Sequence, residues 1–324
     1  MTVRYRTGKF AAVRCRAAVR CRAAVVAAVA VGALTACSVG EPGGGTTRSE
    51  YAAIPESPAA ASSPYVNLGD SYAAGAGVLP VQADSPFLCQ RSAVNFAHVV
   101  ARQRSLPLTD VSCSGAQTND LTADQYYGVR PQLDALGPAT TLVTMMLGGN
   151  DQNTFGGAVS KCGDAATQAS QAGGESAGVP TGSPCRNRYG AQLSAPIDSE
   201  IYPALVDALR QVRGRAPNAR VLIVGYPWIL PATQGCYPAM RVAPGDVGYL
   251  RDLQADLNDA IRRAAVATGV TFVDMSRVSE GHDACAGAQR WIEPQQGTTA
   301  RITVHPNARG HQAIAEQIIA ALGR

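Results

Sequence analysis

The stretch Tyr65-Val-Asn-Leu-Gly-Asp-Ser71-Tyr-Ala-Ala-Gly75-Ala-Gly77 decides the reading of this chain. An apolar run ends in Gly69-Asp70-Ser71, and small residues follow. That order predicts a buried strand that delivers a serine onto a tight turn before a flexible loop. Ser71 is therefore a candidate nucleophile. A Gly-Asp-Ser triplet alone is too common to carry a function, so the reading depends on finding a base and an oxyanion site elsewhere.

Beyond that stretch, strand-like and helix-like segments alternate. Helical spacing over 93–104 is followed by a strand over 108–111 that leads to Cys113-Ser-Gly115. Residues 140–147 form a continuous apolar run ending in Gly148-Gly-Asn150-Asp151, a helix is expected over 201–213, and a strand over 220–225. A further helix over 249–267, a last strand over 270–274 and a terminal helix over 307–322 complete the pattern. Alternation of this kind implies an α/β protein with a parallel sheet covered on both faces, whose ligands bind beyond the carboxyl ends of the strands. Ser71, Gly115 and Asn150 all follow strand ends and should meet on one edge. The interval 156–196, rich in Gly, Ser, Ala and Gln, breaks the rhythm and reads as a long surface loop near the site entrance.

The chain has 324 residues, of which 46% are hydrophobic and 16% charged, enough for a full core. Its formal net charge of +4 owes much to the basic residues before position 23, so the body gives no sign of nucleic-acid binding. Those residues, Arg4 to Arg22, precede the apolar run 23–33, which is too short to span a bilayer and suits a secretory signal. Leu34-Thr35-Ala36-Cys37 resembles a bacterial lipobox, which makes 1–36 a lipoprotein-type signal peptide and Cys37 the lipid-bearing anchor. An ordinary cleavage site with a chance cysteine is the plainer alternative. Residues 37–63 read as a flexible tether and 64–324 as the functional domain, exported and either anchored to the outer face of the membrane or secreted.

Six cysteines remain in the body: Cys89, Cys113, Cys162, Cys185, Cys236 and Cys285. An even count in an exported chain argues for disulfides. Of the possible pairings the sequential one is favoured, each bridge closing one excursion and contributing about 3–4 kcal/mol in the loop-entropy model. A zinc site lacks the expected cysteine spacing, so no metal is assigned.

Four histidines could serve as the base. His98 reads as a helix-face residue, His282 as a plain loop residue, and His311 as a capping or surface residue of the last helix. His305 precedes that helix in Val304-His305-Pro306-Asn307, with Asn307 available as its cap, a placement that can present an imidazole over the strand edge.

Gly69-Asp70-Ser71, Ser112-Cys-Ser-Gly115-Ala-Gln-Thr118, Gly148-Gly-Asn150-Asp151 and His305-Pro-Asn-Ala-Arg-Gly310-His311 occur in the order and rough spacing of the four blocks of the SGNH (GDSL) hydrolases, and the match runs from Val66 to the C-terminus. The resemblance implies a flavodoxin-like, three-layer αβα sandwich and a serine esterase or lipase needing no cofactor. It implies Ser71 as nucleophile, His305 as base, and an oxyanion hole from the N–H groups of Ser71 and Gly115 and the amide of Asn150. Most of the family carries Asp three residues before the histidine, where this chain has Ile302. The chain looks most like the actinobacterial secreted branch with three disulfides, in which a main-chain carbonyl at that position orients the ring. The expectation is thus a Ser71–His305 dyad with the Ile302 carbonyl as acceptor, Asp274 or Asp283 completing a triad being the alternative. Asp70 and Asp151 read as turn-stabilising residues. The expected partners are an ester substrate and, through the lipid, a membrane; a monomer is expected. An O-acetyl esterase of envelope glycans and a noncatalytic envelope-binding lipoprotein are the other function classes.

Overall fold

The computed structural model describes residues 64–172, 178–298 and 300–323. The expected signal peptide, tether and Cys37 lie outside these residues. Five parallel strands form one sheet: β1 (Tyr65–Gly69), β2 (Leu108–Asp110), β3 (Leu142–Met146), β4 (Arg220–Val224) and β5 (Thr271–Val273), in the order β2-β1-β3-β4-β5. β1, β3 and all of β4 but its first residue are buried, which is why they read as unbroken apolar runs rather than alternating ones.

The order dictates where the helices go. From β1 the chain crosses through α2 (Phe96–Arg104) to β2 on one side; from β3 it crosses through α5 (Tyr202–Arg215) to β4, then through α6 (Val247–Thr268) to β5 on the other. Right-handed crossovers in opposite directions put α2 on one face and α5 with α6 on the other. The final helix α7 (Ala308–Leu322) packs on α2, and α5 packs on α6, giving three layers. Asn95 caps α2 through His98 N–H, and Asn307 caps α7 through the N–H groups of Arg309 and Gly310.

The interval 156–196 is not the loop expected from its composition. It holds α3 (Phe155–Ala172) and a short α4 (Pro184–Tyr189). Ala158, Val159, Cys162, Ala165 and Ala166 recur at helical spacing and are buried, but their small side chains give a weak apolar signal. Cys162 is bridged to Cys185, which clamps α3 to α4; Cys89 pairs with Cys113 and Cys236 with Cys285. Three such bridges belong to a chain exported to an oxidising compartment. Among the described residues no helix is long and apolar enough to cross a membrane.

The switch point of this strand order lies between β1 and β3, where β1 ends on Gly69. Gly69 has φ +126°, and a Cβ there would sit 2.1 Å from the Met146 carbonyl oxygen of β3. Its own N–H and carbonyl are both bonded by the Gln132 side-chain amide, and the carbonyl also accepts from Cys113 N–H at 2.9 Å, so this end of the strand is fixed from both sides. Gly69→Ala is expected to lower stability by about 3 kcal/mol or more, read from thermal or denaturant unfolding. A midpoint within about 2 °C of wild type would show that the strand end yields more easily than this.

Candidate active site

Immediately after Gly69 the chain enters α1 (Ser71–Ala74), a single turn. Asp70 caps it, accepting from Tyr72 N–H at 2.9 Å, and this fixes Ser71 at the first helical position, half-buried beyond the end of β1. His305 comes from the other end of the chain and places Nε2 2.7 Å from Ser71 Oγ. Its Nδ1 lies 2.8 Å from the carbonyl oxygen of Thr303. A carbonyl can only accept, so Nδ1 carries the proton and Nε2 is left to accept from the serine hydroxyl.

The acceptor is therefore Thr303, two residues before the histidine, and not the expected Ile302. Between them Val304 takes φ +62°, a left-handed conformation rare for a β-branched residue, which turns the Thr303 carbonyl back toward the ring. Neither alternative acid reaches the imidazole. The Asp274 carboxylate accepts from Ser276 N–H and that of Asp283 from Cys285 N–H, each at 2.8 Å. Burial pushes the His305 ring below the usual histidine range, and the bond to Thr303 only partly opposes this.

Asp70 is buried, 1% exposed. Besides Tyr72 N–H it accepts from Tyr226 OH at 2.5 Å, and Tyr226 OH in turn accepts from Gly149 N–H at 2.9 Å. Burial pushes the Asp70 carboxyl up to about 7 despite these bonds. Tyr72 donates its hydroxyl to the Val304 carbonyl at 2.5 Å, and its ring centre stands 4.9 Å from that of His305. Tyr72 and Tyr226 have no sequence signal that marks them; only the fold brings their hydroxyls here.

Gly115 and Asn150 follow β2 and β3 on the same edge. The N–H groups of Ser71 and Gly115 make no hydrogen bond among the described residues. Asn150 donates one amide hydrogen to the Ala116 carbonyl at 3.1 Å, which orients the amide and leaves its second hydrogen for a ligand. Asp151 accepts from both the N–H and the hydroxyl of Thr118, joining the turn after β3 to the loop that bears Gly115. The Cys89–Cys113 bridge holds that loop two residues before Gly115.

These groups border a cavity of about 270 Å³ whose lining includes Ser71, Asn150 and His305, with Phe155, Val159, Ile229 and Leu257 as buried apolar wall. A hydroxyl bonded to a neutral imidazole, amide donors with free hydrogens and an apolar pocket are the equipment of an acyl hydrolase.

Comparison with known proteins agrees. The model of the GDSL-like Lipase/Acylhydrolase family matches residues 68–313. The chain is 52% identical over 262 residues to Lipase 2 of Streptomyces coelicolor, covering 80% of this chain and 85% of that one. It is 30% identical over 294 residues to an esterase of Streptomyces scabiei, covering 79% and 84%. Among solved structures, phospholipase A1 from Streptomyces albidoflavus aligns with a TM-score of 0.65 at 26% identity, over 82% of this chain and all (100%) of that one. The extracellular lipase of Streptomyces rimosus gives 0.63 at 26% identity, over 80% and 99%. The chain belongs to the GDSL lipase/acylhydrolase family and is a carboxylic ester hydrolase.

The other histidines are placed as well. His98 bonds the α2 cap Asn95 and is half-buried. His282 is stacked on Trp291 with ring centres 4.1 Å apart, and its Nδ1 meets the Gln289 carbonyl. His311, expected on a surface or as a cap, is wholly buried: α7 turns it toward α2, where Nδ1 accepts from Phe96 N–H. Burial, with His305 adding to it, pushes its ring down to about 3. The folded state thus demands a neutral ring where the unfolded chain takes a proton near pH ~6.5, so stability is full above that value and is lost as pH falls toward 3. Between about pH 6 and 4 the wild type should lose stability faster than His311→Gln, by up to about 1.4 kcal/mol per pH unit in urea melts. Parallel curves would refute a buried neutral His311.

Proposed function

We propose that this enzyme cleaves esters of apolar acyl chains through a Ser71–His305 dyad and a covalent acyl-enzyme. The observation that carries the reading is the 2.7 Å approach of His305 Nε2 to Ser71 Oγ in the lining of an apolar cavity. Ser71 Oγ attacks the ester carbonyl while Nε2 takes its proton, and Nδ1–H stays on the Thr303 carbonyl. The tetrahedral oxyanion accepts from the N–H groups of Ser71 and Gly115 and from the Asn150 amide. Nε2 returns the proton to the departing alcohol, then deprotonates a water that releases the acid and restores the serine.

The relatives named lipase and phospholipase A1 support a lipid ester. The apolar wall of Phe155, Val159, Ile229 and Leu257 also favours an acyl chain over a sugar O-acetyl group, which calls for a polar cleft. No residue in this scheme requires a metal or an organic cofactor.

Ser71→Ala is expected to abolish hydrolysis of p-nitrophenyl butyrate, and Asn150→Ala to cut kcat by about 10²–10³. The base must be neutral, and its pKa lies below the usual value, so the acid limb of kcat/KM should fall at half-height below pH ~6.5. Undiminished turnover in Ser71→Ala, or a limb well above that pH, contradicts the dyad.

The proposal extends to the N-terminus: 1–36 as a lipoprotein signal peptide, Cys37 as the acylated residue, 37–63 as tether and 64–324 as the hydrolase domain. It rests on the basic, apolar and Leu34-Thr35-Ala36-Cys37 succession. Cys37→Ser is expected to move the enzyme from the membrane fraction to the medium and to abolish incorporation of labelled palmitate. Equal labelling of the variant would rule out Cys37 as the anchor.

A further inference from the structure

The cavity beside Ser71 has two chemically different parts. One wall is buried and apolar, with the buried Gln254 amide beside it spent on the backbone of Tyr226, Pro227 and Ile229, whereas Ser160, Arg241 and Gln295 are accessible polar residues of the lining away from the serine turn. Ser160 and Arg241 are exposed and Gln295 is half-buried, so these three border its open side. Together they offer a hydroxyl, a guanidinium and a side-chain amide.

Arg241 shares with other arginines of this half of the molecule, such as Arg277 and Arg301, the lack of a carboxylate partner among the described residues, but unlike those two it lines the cavity. Arg251, Arg262, Arg263 and Arg290 are each matched to a carboxylate. The Arg241 guanidinium has no carboxylate, carbonyl or ring partner among the described residues. Its backbone is nonetheless held. Arg241 N–H donates to Gln295 Oε1 at 2.6 Å, which leaves the Gln295 Nε2 hydrogens uncommitted, and a Cβ at Gly163 of α3 would lie in van der Waals contact with Arg241, 3.8 Å from its Cβ. The Cys236–Cys285 bridge anchors the segment five residues upstream. The result is a fixed base carrying an unmatched cation at a substrate cavity.

Asp70 is the carboxyl in the cavity lining, and both its oxygens are engaged, by Tyr72 N–H and Tyr226 OH. It does not neutralise Arg241, with which it shares no contact. A cation left unpaired beside donors of hydrogen bonds is matched by an anion with several acceptor oxygens.

We propose that Arg241, with Ser160 and Gln295, forms a subsite for an anionic group on the substrate, a phosphate or carboxylate, while the acyl chain occupies the apolar wall. This rests on the esterase reading of the cavity and names the class of ester it selects: an amphiphile with one apolar chain and one negative head.

The subsite is tested by binding as well as by turnover. Octyl phosphate, nonanoate and octanol carry comparable chains with a phosphate, a carboxylate and a neutral head. Each is titrated calorimetrically into the whole enzyme and used as a competitor of p-nitrophenyl butyrate. The wild type is expected to bind the anions more tightly than octanol, and Arg241→Gln to cut that advantage tenfold or more, as loss of a charge-assisted bidentate contact does. Arg241→Lys should restore part of it. A preference for octyl phosphate over nonanoate assigns the subsite to phosphate esters, and equal affinities assign it to anions generally. An anion-to-octanol ratio that is unchanged in Arg241→Gln overturns the subsite. If the wild type fails to hydrolyse p-nitrophenyl butyrate, the dyad reading falls, while the calorimetric ratio still decides Arg241 on its own.

Discussion

Ser71 and His305 stand 234 positions apart in the chain, and the fold must register them to within one hydrogen bond. His305 lies on neither a helix nor a strand, so its position depends on side-to-side ties. Val304 N–H donates to the Glu293 carbonyl at 2.7 Å, Glu293 N–H to the His305 carbonyl at 2.9 Å, and Ile292 bridges Pro306. Tyr72 OH on the Val304 carbonyl completes the set. A left-handed Val304 costs on the order of 1–3 kcal/mol and persists only where its surroundings over-determine it. Tyr72 follows Ser71 in the same helical turn. The serine and the strap that holds the histidine are thus fastened to one short rigid piece.

That piece is itself anchored by a buried acid. Asp70 follows β1, Gly149 follows β3 and Tyr226 follows β4, and the three are joined through the Tyr226 hydroxyl. One phenol therefore ties three adjacent strand ends at the point where the sheet opens for its ligand. With both oxygens committed, Asp70 has none to offer the imidazole, whose Nδ1 is in any case bonded to Thr303. The carboxyl adjoining the nucleophile works on the backbone and not on the base.

Much of this was legible in the residues. The apolar runs, the glycines and Asn150 at their ends, and His305 before a capped helix are local patterns, and local patterns survive in sequence. The remainder is set by tertiary structure. α3 looked like a loop because alanine and glycine pack against the core with little hydrophobic signal. The acceptor of His305 lies one residue beyond where its sequence pattern points because it depends on the sign of φ at Val304, and a valine argues against the sign observed. His311 looked like a surface residue because nothing near it in sequence reveals that α7 faces α2.

A carbonyl in place of a carboxylate has a physical consequence for the proposed reaction. A buried carboxylate would favour the imidazolium and raise the histidine pKa; a neutral dipole does much less, and burial works the other way. His305 is therefore held neutral and ready to accept, but the charge it gains on taking the serine proton is less well compensated than in a triad. The compensation has to come from elsewhere. The Tyr72 ring, 4.9 Å from the imidazole and tilted by 42°, offers its π-electrons to a cationic ring. The oxyanion forming on the substrate is itself the nearest countercharge. In that arrangement the donors of Ser71, Gly115 and Asn150 stabilise the oxyanion directly and the imidazolium through it, which places a larger share of the catalytic burden on the oxyanion hole than a triad does.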